Sequence, residues 1–89
     1  MTDALRKLDD TYSETAIDDE IVLMSLRSGD FFSLQGTARS IWLLIDGSRT
    51  RANIVAALAA EYGVEPGAIA PDLDAFVAEL QGVGVLAGG

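Results

Sequence analysis

The sequence predicts an α+β fold, a three-stranded antiparallel sheet followed by three helices. Residues 11–34 hold short β-branched and aromatic runs separated by turn residues. From Thr37 the apolar spacing changes to the three-and-four period of a helix. The chain has 89 residues, 49% apolar and 22% charged, which is enough for one core and not for two.

Residues 1–10 (MTDALRKLDD) show no period and read as a flexible segment ahead of a domain spanning 11–86. Thr11 to Ile17 alternates loosely, and Asp18-Asp19 supplies side chains that close a turn. Glu20 to Leu26 is almost continuously apolar, so this strand is expected to be covered on both faces or flanked by neighbours. Ser28-Gly29-Asp30 makes the next turn, and Asp30 to Leu34 forms a short third strand. Two tight connections make a meander with Glu20–Leu26 in the middle, leaving the first and third strands as edges.

In the first helix, Ala38, Ile41, Trp42, Leu44 and Ile45 share a broad face, and Asp46-Gly47 is expected to stop it. Thr50 is a suitable N-cap for the second helix, with Asn53 where a full capping box would use Glu or Gln. Ile54, Val55, Leu58 and Tyr62 form its stripe, and Gly63 ends it. The third helix carries Ile69, Leu73, Phe76, Val77 and Leu80 as its apolar face. Pro66 and Pro71 both suit a first turn, and its regular part is placed from Pro71. Val83 to Leu86 is a short apolar tail, and Ala87-Gly88-Gly89 reads as a flexible end.

Composition excludes most chemistry. There is no Cys and no His, which removes thiolate nucleophiles, disulfides and the commonest general base and metal ligand. Lys7 would be the only partner for a Ser–Lys dyad, from an unstructured segment. Asp18-Asp19 belongs to a turn, and Asp72 and Asp74 stand two apart on a helix and do not share a face. Gly29, Gly36 and Gly47 occur singly at element boundaries, so no phosphate loop is present, and no Ca²⁺ or Mg²⁺ ligand spacing occurs. The chain reads as a non-enzyme that needs no cofactor and no metal.

Fourteen Asp and Glu against six Lys and Arg give a formal charge of −8, which opposes binding to nucleic acid or to an anionic membrane surface. A sheet with three helices fits a winged helix-turn-helix, yet a third helix bearing Asp72, Asp74 and Glu79 would repel phosphates. Residues 1–10 lack the apolar core of a signal peptide, and no apolar run approaches the ~20 residues of a membrane span, so a cytoplasmic location is expected.

What remains is a surface made by the fold. Sheet edges are normally guarded by Lys, Pro, bulges or covering loops. The first strand carries Glu14 and flanking Asp18, whereas Phe31-Phe32-Ser33-Leu34 carries neither charge nor Pro. An open third strand can accept an extended peptide as a further strand. One competing expectation is that Phe32 and Leu34 are ordinary core, with the edge covered by the third helix or by a second copy. The other is that the chain is a structural domain that self-associates through this edge as a homodimer, strand exchange between copies included.

The run SGDFFSLQGTARSIWLLIDGSRTRANIVAALAAEYGV, followed by PDLDAFVAELQGVGVL, resembles the PqqD-like family of RiPP recognition elements, which bind leader peptides of ribosomally made, post-translationally modified peptides. The resemblance runs from about Ile21 to Leu86. It is carried by Leu34, Thr37-Ala38, Ile41, Asp46-Gly47, Thr50, Ile54, Leu58, Tyr62, Asp72, Phe76, Leu80, Gly84 and Leu86 in order. It implies a winged helix-turn-helix-like fold and a leader that pairs antiparallel with the third strand beside the third helix. It also implies delivery of the precursor to a modifying enzyme or leader protease. Trp42 within GTARSIW looks more like the stand-alone members of lasso-peptide clusters. Two departures stand out: Gln35 replaces the usual Asn or Asp before the first helix, and Pro71 interrupts the third.

The expected peptide-binding residues are therefore Asp30, Phe31, Phe32, Ser33 and Leu34 for the ladder, with Phe32 and Leu34 flooring a groove. Asp74, Val77, Ala78 and Gln81 are expected to contribute from the third helix, with Asp74 facing a cationic leader residue.

Overall fold

A computed structural model describes residues 4–88. A three-stranded antiparallel sheet has the order β2 (Tyr12–Ile17), β3 (Glu20–Ser25), β4 (Phe31–Leu34), and three helices follow: α1 (Thr37–Leu44), α2 (Arg51–Tyr62) and α3 (Pro66–Gly82). This is the expected α+β order. A second sheet, not expected, pairs β1 (Arg6–Lys7) antiparallel with β5 (Leu86–Ala87).

The meander turns where the sequence places its turns. Asp18 adopts φ 53°, a left-handed conformation that a short polar side chain tolerates, and this lets Ile17 sit opposite Glu20. In β3 the residues Ile21, Leu23 and Ser25 are buried while Glu20, Val22 and Met24 are half-buried. The strand reads as continuously apolar because it is flanked on both sides, with only one face covered.

The helices pack on that covered face. Trp42 and Ile41 of α1, Ile54 and Leu58 of α2, and Leu73, Val77 and Leu80 of α3 join Ile21, Leu23 and Leu34 in one core. Thr50 caps α2, and Asn53 completes the capping box although shorter than Glu: Thr50 N–H donates to Asn53 Oδ1 and Asn53 N–H to Thr50 Oγ1, both at 3.1 Å. Gly63 ends α2 at φ 66°.

Several expectations are corrected. The segment 1–10 does not fray from residue 4 onward. Leu5 is fully buried and donates to the Arg49 carbonyl, and Lys7 lies over the Trp42 ring at 4.3 Å. Residues 1–3 lie outside the described residues. At the other end Ala87 belongs to β5, and the Gly88 carbonyl accepts from Gln81 Nε2 at 2.7 Å; Gly89 lies outside the described residues. A two-residue strand has no period to read, so long-range pairing of the two ends left no trace in the sequence.

α1 stops at Leu44 rather than at Asp46-Gly47, and the Asp46 carboxylate instead accepts from Ser48 N–H and Arg49 N–H to shape the following loop. Gly36, not Gln35, occupies the N-cap of α1. α3 begins at Pro66 and carries Pro71 inside it. Both Pro71 and Gly67, whose carbonyl loses its donor, are exposed, so the unmade bond lies open to solvent and costs little, and Ile69 is buried in the turn between them. Tyr62 leaves the α2 stripe, 44% exposed, its hydroxyl 2.6 Å from Ser40 Oγ. Among the described residues no helix is long and apolar enough to cross a membrane, and no cluster of His, Cys, Asp and Glu could hold a metal ion.

Candidate functional site

The outer side of β4 is unpaired among the described residues, because the strand bonds only to β3. The phase of the ladder decides which groups it offers. Ser25 N–H donates to the Asp30 carbonyl at 2.9 Å, and on the other side Leu26 N–H donates to the Thr11 carbonyl at 2.8 Å. Ile21, Leu23 and Ser25 therefore turn their backbone groups toward β4. In an antiparallel ladder their partners Leu34 and Phe32 turn inward, and Phe31 and Ser33 turn outward. The open edge thus presents the N–H and C=O of Phe31 and of Ser33.

The expected ladder narrows accordingly. Asp30 is already engaged on both sides, its carbonyl by Ser25 and its N–H by Ser28 Oγ at 3.3 Å. Leu34 is 3% exposed and belongs to the core beneath the edge rather than to a contact surface. Phe32, half-buried on the same face, is the side chain left to floor a groove. Phe31 and Ser33 point to the other face of the sheet, where the Ser33 hydroxyl donates to the Glu20 carboxylate.

Two of the residues expected on α3 hold contacts within the chain. Asp74 pairs with Arg51 of α2 at 3.1 Å, and Gln81 reaches Gly88 beyond β5. Val77 is fully buried, at the centre of the stripe between Leu73 and Leu80, and touches no surface. Ala78 is exposed on the same flank as Asp74, four positions along.

The opposite flank carries Asp72, Phe76, Glu79 and Val83, spaced by four, three and four. Phe76 and Val83 are half-buried and pack against the core. The Ser25 hydroxyl donates to the Val83 carbonyl at 2.8 Å, which holds the end of this flank over the sheet. A second tie comes from Arg27 in the β3–β4 turn. It lies across Gly84 so closely that a Cβ there would meet its Cδ at 2.7 Å, and Gly84 also adopts φ 83°. Phe32 from β4 and Phe76 and Val83 from α3 are all half-buried and pack against the same core. The apolar stripe alone does not say which of its flanks α2 covers; the Asp74–Arg51 pair does.

Charge is distributed unevenly around the edge. A cavity lined by Ile17, Asp18, Asp19, Glu20, Gln35 and Gly36 lies at the Leu34 end, and Asp72 and Glu79 stand on the Phe76 flank of α3. The groups with shifted acidities all lie elsewhere. Burial against Trp42 pulls the Lys7 ammonium below its ordinary pKa. Burial, with a hydrogen bond to Asp9, pushes the Tyr12 hydroxyl up to about 12. Hydrogen bonds from Ser48 hold the Asp46 carboxyl below the usual range. The edge itself offers unpaired backbone groups beside the half-buried Phe32, an arrangement suited to holding an extended chain.

The family model for coenzyme PQQ synthesis protein D (PqqD) matches residues 20–86. Among solved structures, "TbiB1 in complex with the TbiA(beta) leader peptide" superposes with a TM-score of 0.78 at 31% identity, covering 100% of this chain and 98% of that one. "Lasso peptide synthetase B1 complexed with the leader peptide" gives a TM-score of 0.77 at 28% identity, covering 93% of this chain and 96% of that one. No curated protein matches the chain.

Proposed function

The chain belongs to the PqqD family, and from that premise we propose that it is a non-catalytic module that captures the leader region of a ribosomal precursor peptide. The leader adds as an antiparallel strand to β4 and is presented to a modifying enzyme or leader protease. The observation that carries this reading is the outward pair Phe31 and Ser33, whose backbone groups have no partner among the described residues and which flank half-buried Phe32. It is supported by the two similar structures, both of which hold leader peptides and one of which is a lasso peptide synthetase B1. An acidic rim favours a leader of net positive or neutral charge in the paired segment.

The magnitudes allow a usable affinity. Four new ladder bonds contribute about 2–6 kcal/mol together. Each leader side chain buried against Phe32, Phe76 or Val83 adds about 1.5–3 kcal/mol. Ordering a disordered segment removes about 2–5 kcal/mol, and association itself several more. The remainder corresponds to micromolar binding, tighter where the groove is well filled. Backbone pairing is blind to sequence, so selectivity comes from the side chains on either side of the added strand.

The test is a titration with a synthetic copy of the leader peptide held by the similar TbiB1 structure, followed by amide chemical shifts. Shifts centred on Phe31, Ser33, Phe76 and Val83 are expected. Shifts confined to α1 would overturn the assignment. A mass that rises with protein concentration and ignores the peptide would instead place a second copy on this edge.

A further inference from the structure

The face of β4 turned away from the groove carries an unused contact. Phe31 is 70% exposed, more than any other large apolar side chain among the described residues. It lies opposite half-buried Met24 on the side of the sheet turned away from the core residues Ile21, Leu23 and Leu34. Phe31 and Met24 form a non-hydrogen-bonded pair, the closer of the two antiparallel pairings, so the aromatic ring is backed on one side. Its other side borders the open edge.

A strand added to β4 brings one of its residues directly opposite Phe31, with both backbone bonds made and its side chain on the same outward face. We propose that this residue is a specificity determinant: the leader carries a large apolar or aromatic side chain there, packed on Phe31. The inference rests on strand addition to β4 and extends it to the second face of the sheet. The antiparallel direction fixes the order. The leader residue opposite Ser33 comes first and meets a hydroxyl already bound to the Glu20 carboxylate, a polar neighbourhood. The next residue, opposite Phe32, points into the groove. The third, opposite Phe31, points outward. The recognised signature is therefore two adjacent apolar residues, one facing in and one facing out, preceded by a polar or basic residue. A strand that used the groove alone would show apolar residues only at alternate positions.

The experiment is selection of a random displayed peptide library on the wild-type chain, on Phe31→Lys and on Ser33→Pro, each first shown to unfold at the wild-type midpoint. Wild type should enrich peptides with adjacent apolar residues. Phe31→Lys should convert the second of those positions to Asp or Glu and leave the first apolar. For one wild-type-selected peptide, Phe31→Ala and truncation of the outward residue should each weaken binding roughly three- to tenfold. Combining the two changes should weaken it little further. Identical preferences on wild type and Phe31→Lys, with enrichment abolished on Ser33→Pro, would overturn the outward contact and leave strand addition standing. Undiminished enrichment of the same peptides on Ser33→Pro would overturn strand addition itself.

Discussion

The Ser25 hydroxyl donates to the Val83 carbonyl at 2.8 Å and accepts the Ser28 N–H at 3.2 Å. It is a fully buried polar side chain that joins β3 to the end of α3 across 58 residues of chain. Replacing it with Ala leaves two polar groups without their partner, and Ser25→Ala should destabilise the domain by about 1–3 kcal/mol in urea unfolding. Because the same bond positions the Val83 end of the groove, the variant should also bind the leader more weakly under conditions where it remains folded.

The two flanks of α3 make opposite predictions for binding. Phe76→Ala and Val83→Ala should each weaken the leader complex about tenfold or more, measured by calorimetry, since each removes apolar surface from the groove wall. Asp74→Asn and Gln81→Ala should leave affinity unchanged. Asp74 serves a partly exposed ion pair with Arg51, worth about 0–1 kcal/mol to stability.

The pair Tyr12 and Trp42 sets an alkaline limit. Their rings meet edge to face at 5.2 Å, and the Tyr12 hydroxyl is raised from 10.0 to about 12 by burial and by Asp9. An acid whose folded pKa is raised contributes stability that is complete below its unfolded pKa and is lost as pH climbs through the folded value. Stability should therefore fall between about pH 10 and 12 in the wild type, and Tyr12→Phe should flatten that fall. Phenolate absorbance should show one tyrosine ionising late.

The meander and the helices were legible because each announces itself locally. β-Branched runs end at Asp18-Asp19 and Ser28-Gly29, and the period changes at Thr37. The open edge was legible by what Phe31 to Leu34 lack. The β1–β5 pairing was not, since two-residue strands joining opposite ends of the chain have neither period nor turn. The two flanks of α3 were not distinguishable for a related reason. Asp74 and Gln81 lie at one margin of the α3 stripe and Phe76 and Val83 at the other, and only the position of Arg51 on α2 distinguishes them. The regular part of α3 was placed from Pro71 because two prolines compete for one first turn, yet the helix runs unbroken from Pro66 with Ile69 buried ahead of Pro71.

The most direct measurement compares Ser33→Pro with Phe32→Pro, each for unfolding midpoint and for affinity to the leader segment. Ser33 turns its N–H to the open edge, so proline there removes a donor that only an added strand would use. Ser33→Pro should keep the wild-type midpoint and lose leader binding, while Ser33→Ala, which removes only the hydroxyl held by Glu20, binds normally. Phe32→Pro removes a bond to Leu23 and should lower the midpoint sharply. A folded Ser33→Pro chain that binds the leader as tightly as wild type would contradict the account.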